Sequence, residues 1–284
     1  MPHNYFNGLY FRHQTEGRTV AVIPSVHSDD QGRRSACIQV ITDDVSNLVR
    51  YPSNEIKTGE TRAELRLGNN LFSPEGICLD IEDGSFSVRG RLSYRTLTPP
   101  RYDIMGPFSF APFLECRHSV ISYRHTVDGC LILNGEKLDF THGIGYMEGD
   151  RGRSFPRRYL WTQCAFGEND SLMLSAAEIP YLGCRFNGVI AAVVLSGREH
   201  RIATYLGARM EQPREGLITV RQGRFSLTAQ LLERREQELF APVAGDMRRI
   251  IRESAACRAR FLFKSGCEVL LDFISNQAGF EFEW

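Results

Sequence analysis

The chain has 284 residues, of which 42% are hydrophobic, and its 34 basic side chains balance 34 acidic ones. A chain of this length can bury a substantial core, as one large domain or two ordinary ones. Nucleic-acid-binding proteins normally carry a basic surplus, so the balanced charge argues against that class. The longest apolar run, residues 189–195, is far shorter than the ~20 residues of a membrane helix. The first residues show no signal-peptide pattern, so we expect a cytoplasmic protein.

The predicted elements are mostly strands. Short apolar segments are broken at regular intervals by Gly, Pro, Asn or Asp, which is typical of an antiparallel all-β protein. Only Gly245–Ala256 has helical spacing, through Met247, Ile250 and Ile251. About fifteen short strands favour two sheets or barrels over a single sandwich, with little helix. We predict two domains, 1–142 and 143–284. The predicted strands, in chain order, are 19–23, 36–41, 64–67, 77–81, 86–94, 118–123, 130–133, 159–166, 172–177, 188–195, 201–206, 217–220, 225–230, 259–263 and 268–273.

The cysteines and most of the histidines belong to no chemical motif. The eight cysteines are scattered, without a Cys-x-x-Cys pair, so we expect buried thiols in a reducing compartment. His3, His13, His27 and His200 fall where surface or turn residues are expected. The chain also lacks a phosphate loop, a His-Glu-x-x-His pair and a Gly-x-Ser-x-Gly elbow. We therefore expect no nucleotide cofactor.

A proline-rich aromatic segment runs from Pro99 to Phe113. Its prolines exclude a helix, and its aromatic side chains need a covering. Phe108, Phe110 and Phe113 could line an apolar cavity with Glu115 and His118 as its polar members. His118 and His125 lie seven residues apart on one strand and so face opposite ways, which argues against a metal site built on them.

The segment 143–164 carries the strongest chemical pattern. Glu148 and Asp150 lie in a glycine-rich loop beside Arg151 and Arg153. Strand alternation then puts three side chains on one face of the next element: Tyr159, Trp161 and Gln163. A carboxyl shielded from water can stay protonated as a general acid, and aromatic faces stabilise a developing cation. The pattern indicates protonation of an apolar substrate. Salt-bridged caps of a turn are the alternative interpretation.

This segment resembles the signature of the tocopherol cyclase family, over 146–156 and the aromatic-x-Trp-x-Gln strand 159–163. The likeness is closest to a bacterial branch in which Asp-Ile-Met-Gly-Pro-Phe, here 103–108, and Glu-Cys-Arg-His, here 115–118, also recur. Further segments that fit the family extend over nearly the whole chain: 10–14, 23–24, 67–73, 241–242 and 253–254.

The resemblance carries expectations of its own. Plant members close a chromanol ring by protonating a prenyl double bond so that a phenol oxygen adds to it, without a cofactor. The implied fold is a pair of lipocalin-like antiparallel β-barrels or strongly curved sheets packed together, similar to carotenoid hydratases. Glu148, Asp150, Trp161 and Gln163 match the signature. Arg151 stands where Trp is usual, which favours a more polar ligand than the plant substrate.

The leading hypothesis is a cofactor-independent and metal-independent enzyme that protonates an alkene of a lipophilic, prenylated or quinol-like substrate to drive cyclisation, hydration or isomerisation. Asp150 or Glu148 would be the acid, and Glu115 with His118 would form a second polar cluster. The expected substrate-binding residues are Tyr146, Arg151, Phe155, Tyr159, Trp161, Gln163, Phe108 and Phe110.

Two other functions stay open. A non-catalytic lipocalin-like carrier of an apolar molecule would need the aromatic residues but tolerate neutral replacements of the acids. A carbohydrate-binding sandwich ranks last, because the chain has only two tryptophans. A peripheral contact with a membrane also stays open, and the sequence does not determine the oligomeric state.

Overall fold

The computed structural model describes residues 2–59, 61, 63–112, 114–181 and 183–284. Strands account for 70% of the chain and helices for 4%, which confirms the all-β prediction. No helix formed by the described residues has the length and apolar run needed to cross a bilayer. Three short 3-10 helices cover Ser53–Glu55, Gly106–Phe110 and Thr204–Leu206. The strands are β1 (Tyr5–Thr15), β2 (Arg18–Ser28), β3 (Arg34–Thr42), β4 (Ser46–Tyr51), β5 (Ile56–Thr58), β6 (Leu65–Leu67), β7 (Asn70–Ser73), β8 (Gly76–Asp83), β9 (Phe86–Tyr94), β10 (Cys116–Leu133), β11 (Glu136–Asp139), β12 (Gly143–Gly152), β13 (Tyr159–Phe166), β14 (Asp170–Tyr181), β15 (Cys184–Leu195), β16 (Arg198–Ala203), β17 (Arg209–Met210), β18 (Leu217–Gln222), β19 (Phe225–Glu233), β20 (Gln237–Val243), β21 (Asp246–Ser265) and β22 (Glu268–Glu283).

The chain divides into two compact units. The first contains residues 1–99, 116–155 and 239–250, and the second contains residues 100–115, 156–238 and 251–284. The sequence prediction placed the division before Gly143. In the structure residues 143–155 belong with the first unit, because β12 pairs with β1 on one side and β10 on the other.

The sheet of the first unit curves back on itself. Its strand order is β4-β3-β2-β1-β12-β10-β9-β8-β7-β6-β5, so its edge strands β4 and β5 are consecutive in sequence. The two ends of the sheet also approach each other through side chains, since Asn70 Nδ2, on the third strand from the β5 edge, donates to the hydroxyl of Tyr51 on β4 at 3.0 Å. Both halves of the sheet bury one shared apolar core. Fully buried members of that core include Phe11, Val22, Ile38, Phe72, Val88 and Leu131.

The second unit repeats this connectivity without repeating the sequence. Its order is β16-β15-β14-β13-β22-β21-β19-β18-β17, and its edge strands β16 and β17 are again consecutive in the chain. In each unit a meander of four strands begins the sheet, and the last long strand pairs with the first: β12 with β1, and β22 with β13. The predicted pair of antiparallel, strongly curved sheets is confirmed.

The predicted helix at 245–256 is wrong, because this segment belongs to β21. A helix would bring Ile250 and Ile251 to neighbouring positions on one face. In the structure Ile250 is exposed and Ile251 is buried, which is the alternation of a strand. Met247 and Ile251 lie on one face of β21 and Ile250 on the other, so the helix-like spacing arises from residues on both faces of a strand.

Candidate functional site

Glu148 and Asp150 lie on a central strand of the first unit, not in a loop. Three of the glycines that suggested a loop, Gly143, Gly145 and Gly149, occupy one face of β12, where neighbouring atoms leave little room for side chains. A Cβ at Gly145 would lie 2.1 Å from His125 Nε2, and one at Gly143 would lie 2.8 Å from the Gln14 carbonyl oxygen. Because strand side chains alternate, Glu148 and Asp150 project together from the opposite face.

His118 connects the two carboxylates. It stands directly opposite Asp150 in the β10–β12 pair, and its Nδ1 lies 3.1 Å from Asp150 Oδ1. Its Nε2 lies 3.4 Å from Glu148 Oε2. The His118 side chain is 10% exposed, Glu148 6% and Asp150 22%. A ring carrying protons on both nitrogens would serve both carboxylates as acceptors. The three side chains therefore form one connected cluster.

Tyrosines surround the more buried carboxylate. The Tyr146 hydroxyl donates a hydrogen bond to Glu148 Oε2, and Tyr10 is the cross-strand partner of Glu148 on β1. Burial, and then the charge of Glu148, raise the pKa of Tyr146 well above its ordinary value. Tyr10 and Tyr123 act on Tyr146 in the same direction. Tyr146 therefore stays a protonated donor to Glu148.

Asp150 is the more exposed of the two acids. Cys116 Sγ donates to Asp150 Oδ1 at 3.4 Å, so the contacts from Cys116 and His118 both fall on the same oxygen. Burial, and then the charge of Asp150, raise the pKa of the Cys116 thiol well above its ordinary value, which keeps it a donor. Asp150 Oδ2 is thus the oxygen directed away from these two donors.

The same three side chains could also be considered as metal ligands. One ligand atom each from His118, Glu148 and Asp150 lies within 4.8 Å of the others, so His118 has ligand-type partners that the sequence argument, built on His118 and His125, did not include. However, the two carboxylates face different ring nitrogens, and a single ion can bind only one of those nitrogens. The arrangement fits a proton relay, in which His118 Nε2 and Glu148 Oε2 lie 3.4 Å apart, better than a chelate.

Two other predicted residues of the first unit, Arg151 and Phe155, project elsewhere, although the charge of Arg151 acts on the Cys116 thiol. Arg151 follows Asp150 and projects from the opposite face of β12 by strand alternation. Phe155 packs edge-on against Phe6, with ring centroids 5.5 Å apart. Glu115, assigned to the second unit, is exposed, and His118 instead contacts the carboxylates of β12. The predicted Glu115–His118 cluster is therefore replaced by His118 with Glu148 and Asp150.

Tyr159, Trp161 and Gln163 do share one buried face, on β13 of the second unit. The acid beside Tyr159 and Trp161 is Glu281 on β22, which is the cross-strand partner of Trp161 and accepts a hydrogen bond from Tyr159. Glu253 on β21 pairs with Glu281 in turn, and both are buried. The second unit thus has a carboxyl cluster of its own.

The aromatic segment before β10 belongs to the second unit and is only partly covered. Phe108 packs edge-on against Tyr205, with centroids 5.8 Å apart, whereas Phe110 is 86% exposed. Phe113 lies outside the described residues. The expectation that Phe110 lines a cavity is wrong for this structure, because its ring projects into solvent.

Sequence reasoning missed several buried groups. Tyr10 and Cys116 lie in segments that the family resemblance covers, but no local pattern gives them or Glu281 a role, and only the strand pairing brings them to the acids. His13 and His27, expected at the surface, are 0% and 3% exposed. Conversely, Cys184 and Cys267 are exposed, although buried thiols were expected.

The sequence matches no known family profile and no curated protein. Its fold is similar to those of two solved structures. One is a candidate AttH of Nitrosomonas europaea, with a TM-score of 0.58 and 11% identity over 99% of this chain and 92% of that one. The other is kievitone hydratase of Nectria haematococca, with a TM-score of 0.56 and 11% identity over 98% of this chain and 88% of that one. The chain therefore shares their lipocalin-like fold.

Proposed function

We propose that the protein is a cofactor-independent enzyme that protonates an alkene of a lipophilic, prenylated substrate and so drives addition of an oxygen nucleophile. The observation that carries the proposal is the relay Tyr146–Glu148–His118–Asp150, buried at one end and accessible at Asp150. Such a relay stores a proton in a shielded site and delivers it at one defined atom, as general acid catalysis requires.

In the proposed reaction Asp150 Oδ2 is the proton donor. The proton forms a C–H bond with one alkene carbon while the π bond breaks, which leaves a carbocation on the other carbon. Water or a hydroxyl of the substrate then forms the C–O bond and loses its proton to a base, which releases it to solvent. Solvent protonates His118, whose charged ring Glu148 stabilises, and His118 Nδ1 passes that proton to the Asp150 carboxyl. The neighbouring Tyr10 ring offers a face to the cation, a contact worth ~2 kcal/mol when desolvated.

Two likenesses support this choice among acid-catalysed additions. Kievitone hydratase, by its name, is an enzyme that adds water, and it shares the fold. The tocopherol cyclase signature over residues 146–163 suggests the intramolecular version, in which the nucleophile is a phenol of the substrate. Both reactions use the same first step, so the proton donor is common to the two.

The test uses a prenylated hydroquinone and follows its products by mass spectrometry. Hydration adds the mass of one water, and cyclisation leaves the mass unchanged but alters retention. We expect Asp150→Asn to lower turnover by at least ~10²-fold while the protein stays folded. Asp83→Asn, at the exposed end of β8, is the control.

Two results would contradict the proposal. Unchanged turnover in Asp150→Asn would remove Asp150 from the reaction. Tight binding of the hydroquinone by the wild-type protein and by Asp150→Asn, with no product from either, would instead indicate a carrier.

A further inference from the structure

A second polar cluster lies on the same face of the first sheet as Asp150. His27 Nε2 lies 2.8 Å from Ser25 Oγ, and both side chains are 3% exposed. Cys37 Sγ lies 3.2 Å from Ser25 Oγ and 3.5 Å from His27 Nε2. Burial lowers the pKa of His27 to about 4, although Asp246 and the backbone of Gly245 favour its charged form. His27 is thus a neutral base at pH 7, with a serine hydroxyl beside it.

Gly8 lies between this cluster and the proposed acid. It is the cross-strand partner of Asp150 on one side and of Ser25 on the other. Since strands lie ~4.8 Å apart, Asp150 and Ser25 stand about 10 Å apart across a position without a side chain. Along β1, Phe6 and Tyr10 flank Gly8 on the same face. We call this space the Gly8 notch, framed by Asp150, Ser25, Phe6 and Tyr10.

No steric or backbone requirement explains glycine at this position. A Cβ at Gly8 would meet Ser25 Cβ at 3.5 Å and nothing nearer, which is ordinary van der Waals contact. The backbone φ angle of Gly8 is not in the left-handed region, and the pairing of β1 with β2 continues past Gly8 without a bulge. Glycine inside a strand costs stability and often marks the close approach of a ligand. Gly8 is half-buried and the Asp150 side chain is 22% exposed, whereas Ser25 and Cys37 are buried, so the exposed surface of the notch lies at Gly8 and Asp150.

We propose that the Gly8 notch is the reaction site and that Ser25 and His27 form its proton-accepting side. They hold the nucleophilic oxygen, of water or of the substrate's own hydroxyl, opposite the alkene carbon that Asp150 does not protonate. As the C–O bond forms, the oxygen's proton passes to His27 Nε2, directly or through Ser25 Oγ. Asp150 has then lost one proton and His27 has gained one, and exchange with solvent restores both.

This inference rests on the proposed function, and an isotope experiment separates the two. The prenylated hydroquinone is incubated in D2O, and deuterium in the recovered alkene is measured beside product formation. Asp150→Asn should lose both. His27→Gln should still deuterate the alkene, because the cation returns a proton when no nucleophile adds, while product falls by ~10²-fold or more. His142→Gln, at an exposed position, is the control.

Two further variants keep the test decisive if His27→Gln fails to fold. Ser25→Ala should keep deuteration and lose about tenfold in product, at the lower end of the range for one proton-transfer group. Gly8→Ala should fold with an unchanged or higher melting temperature but lose both deuteration and product, because its methyl group fills the notch. Asn7→Ala, on the other face of β1, should lose neither.

Some results would overturn the assignment of His27, and one would overturn the proposed function itself. Product formation by His27→Gln within threefold of wild type, or loss of deuteration in a folded His27→Gln, would overturn the assignment of His27. Where His27→Gln is unfolded, product within threefold of wild type from both Ser25→Ala and Gly8→Ala would do the same. Wild-type protein that neither deuterates nor converts the substrate would overturn the proposed function, and the inference would fall with it.

Discussion

His118 Nδ1 lies 3.1 Å from Asp150 Oδ1 across directly opposed positions of β10 and β12. The contact is set by the register of two central strands, so it does not depend on a mobile loop. Strand-borne groups are held more precisely than loop-borne ones, which suits a proton transfer that requires hydrogen-bond distance.

Removing the Tyr146 hydroxyl should weaken both the fold and the site. In Tyr146→Phe the buried Glu148 loses a donor, and we expect unfolding to become easier by ~1–3 kcal/mol. Turnover of the prenylated hydroquinone should also fall. Urea unfolding followed by circular dichroism measures the first effect. Tyr181→Phe, at an exposed position, is the control, and equal stability of the two variants would contradict the prediction.

The first unit should lose stability in mild acid. Burial lowers the pKa of His13 to about 3 and of His125 to about 4, against an ordinary value of 6.5. Between pH 6.5 and 4 the unfolded chain therefore binds protons that the native rings do not, and stability falls as pH falls. We expect a loss on the order of 1–2 kcal/mol per ring by pH 5.

Hydrogen exchange of β1 and β10 amides between pH 7 and 5, corrected for intrinsic rates, measures this loss. His125→Gln should flatten the pH dependence because it removes one of the titrating rings. His142→Gln, whose native ring is exposed, should leave the dependence as in the wild type. Parallel curves for His125→Gln and the wild type would show that His125 does not contribute.

Two glycines at the β9–β10 pair should be irreplaceable for folding. Gly90 has φ 144° and its Cβ would lie 2.2 Å from the Cys130 carbonyl oxygen; Gly129 has φ 133° and faces Arg91 in the same way. We expect alanine at either position to cost more than ~3 kcal/mol through clash and backbone strain. Gly84→Ala, with positive φ but open space, should cost about 1–2 kcal/mol. Thermal unfolding of the three variants tests the order.

The cysteine thiols should differ in reactivity according to their exposure to solvent. Cys184 and Cys267 are exposed, whereas burial and Asp150 hold the Cys116 thiol in its protonated, unreactive form. Iodoacetamide at pH 8, followed by peptide mass spectrometry, should modify the two exposed cysteines first. Modification of Cys116 at the rate of Cys267 in folded protein would contradict the buried relay.

Peripheral membrane contact is still a prediction, and Phe110 is the residue that tests it. Its ring is 86% exposed, on a segment that also exposes Tyr102. An apolar side chain of this kind inserts at a lipid interface. Phe110→Ser should reduce co-sedimentation with phosphatidylglycerol vesicles several-fold, whereas Leu232→Ser, at another exposed apolar site, should not. Absence of wild-type binding would remove membrane contact from consideration.

The sequence predicted the strands well where apolar and polar residues alternate, as over 86–94, which match β9. It failed at β12 because the glycines of that strand are required by neighbours that are distant in sequence, such as His125. It also placed Glu148, Asp150 and Trp161 in one motif, although the strand pairing gives Trp161 a different acid, Glu281. The Asp150–His118 contact and the Gly8 notch depend on register between distant strands, which local patterns do not contain.

The pairing of the first strand of each unit with its last has a consequence for synthesis. β1 lacks its partner strand on one side until residue 152 has been synthesised. Gln39 acquires its partner later still, because its side-chain amide hydrogen-bonds the backbone N–H and carbonyl oxygen of Phe240. A chain emerging from the ribosome therefore exposes an unpaired edge of β1 for most of its translation. Contacts of such long sequence separation fold slowly. Truncation after residue 155 should consequently yield an aggregation-prone fragment, even though it contains every residue of the proposed site.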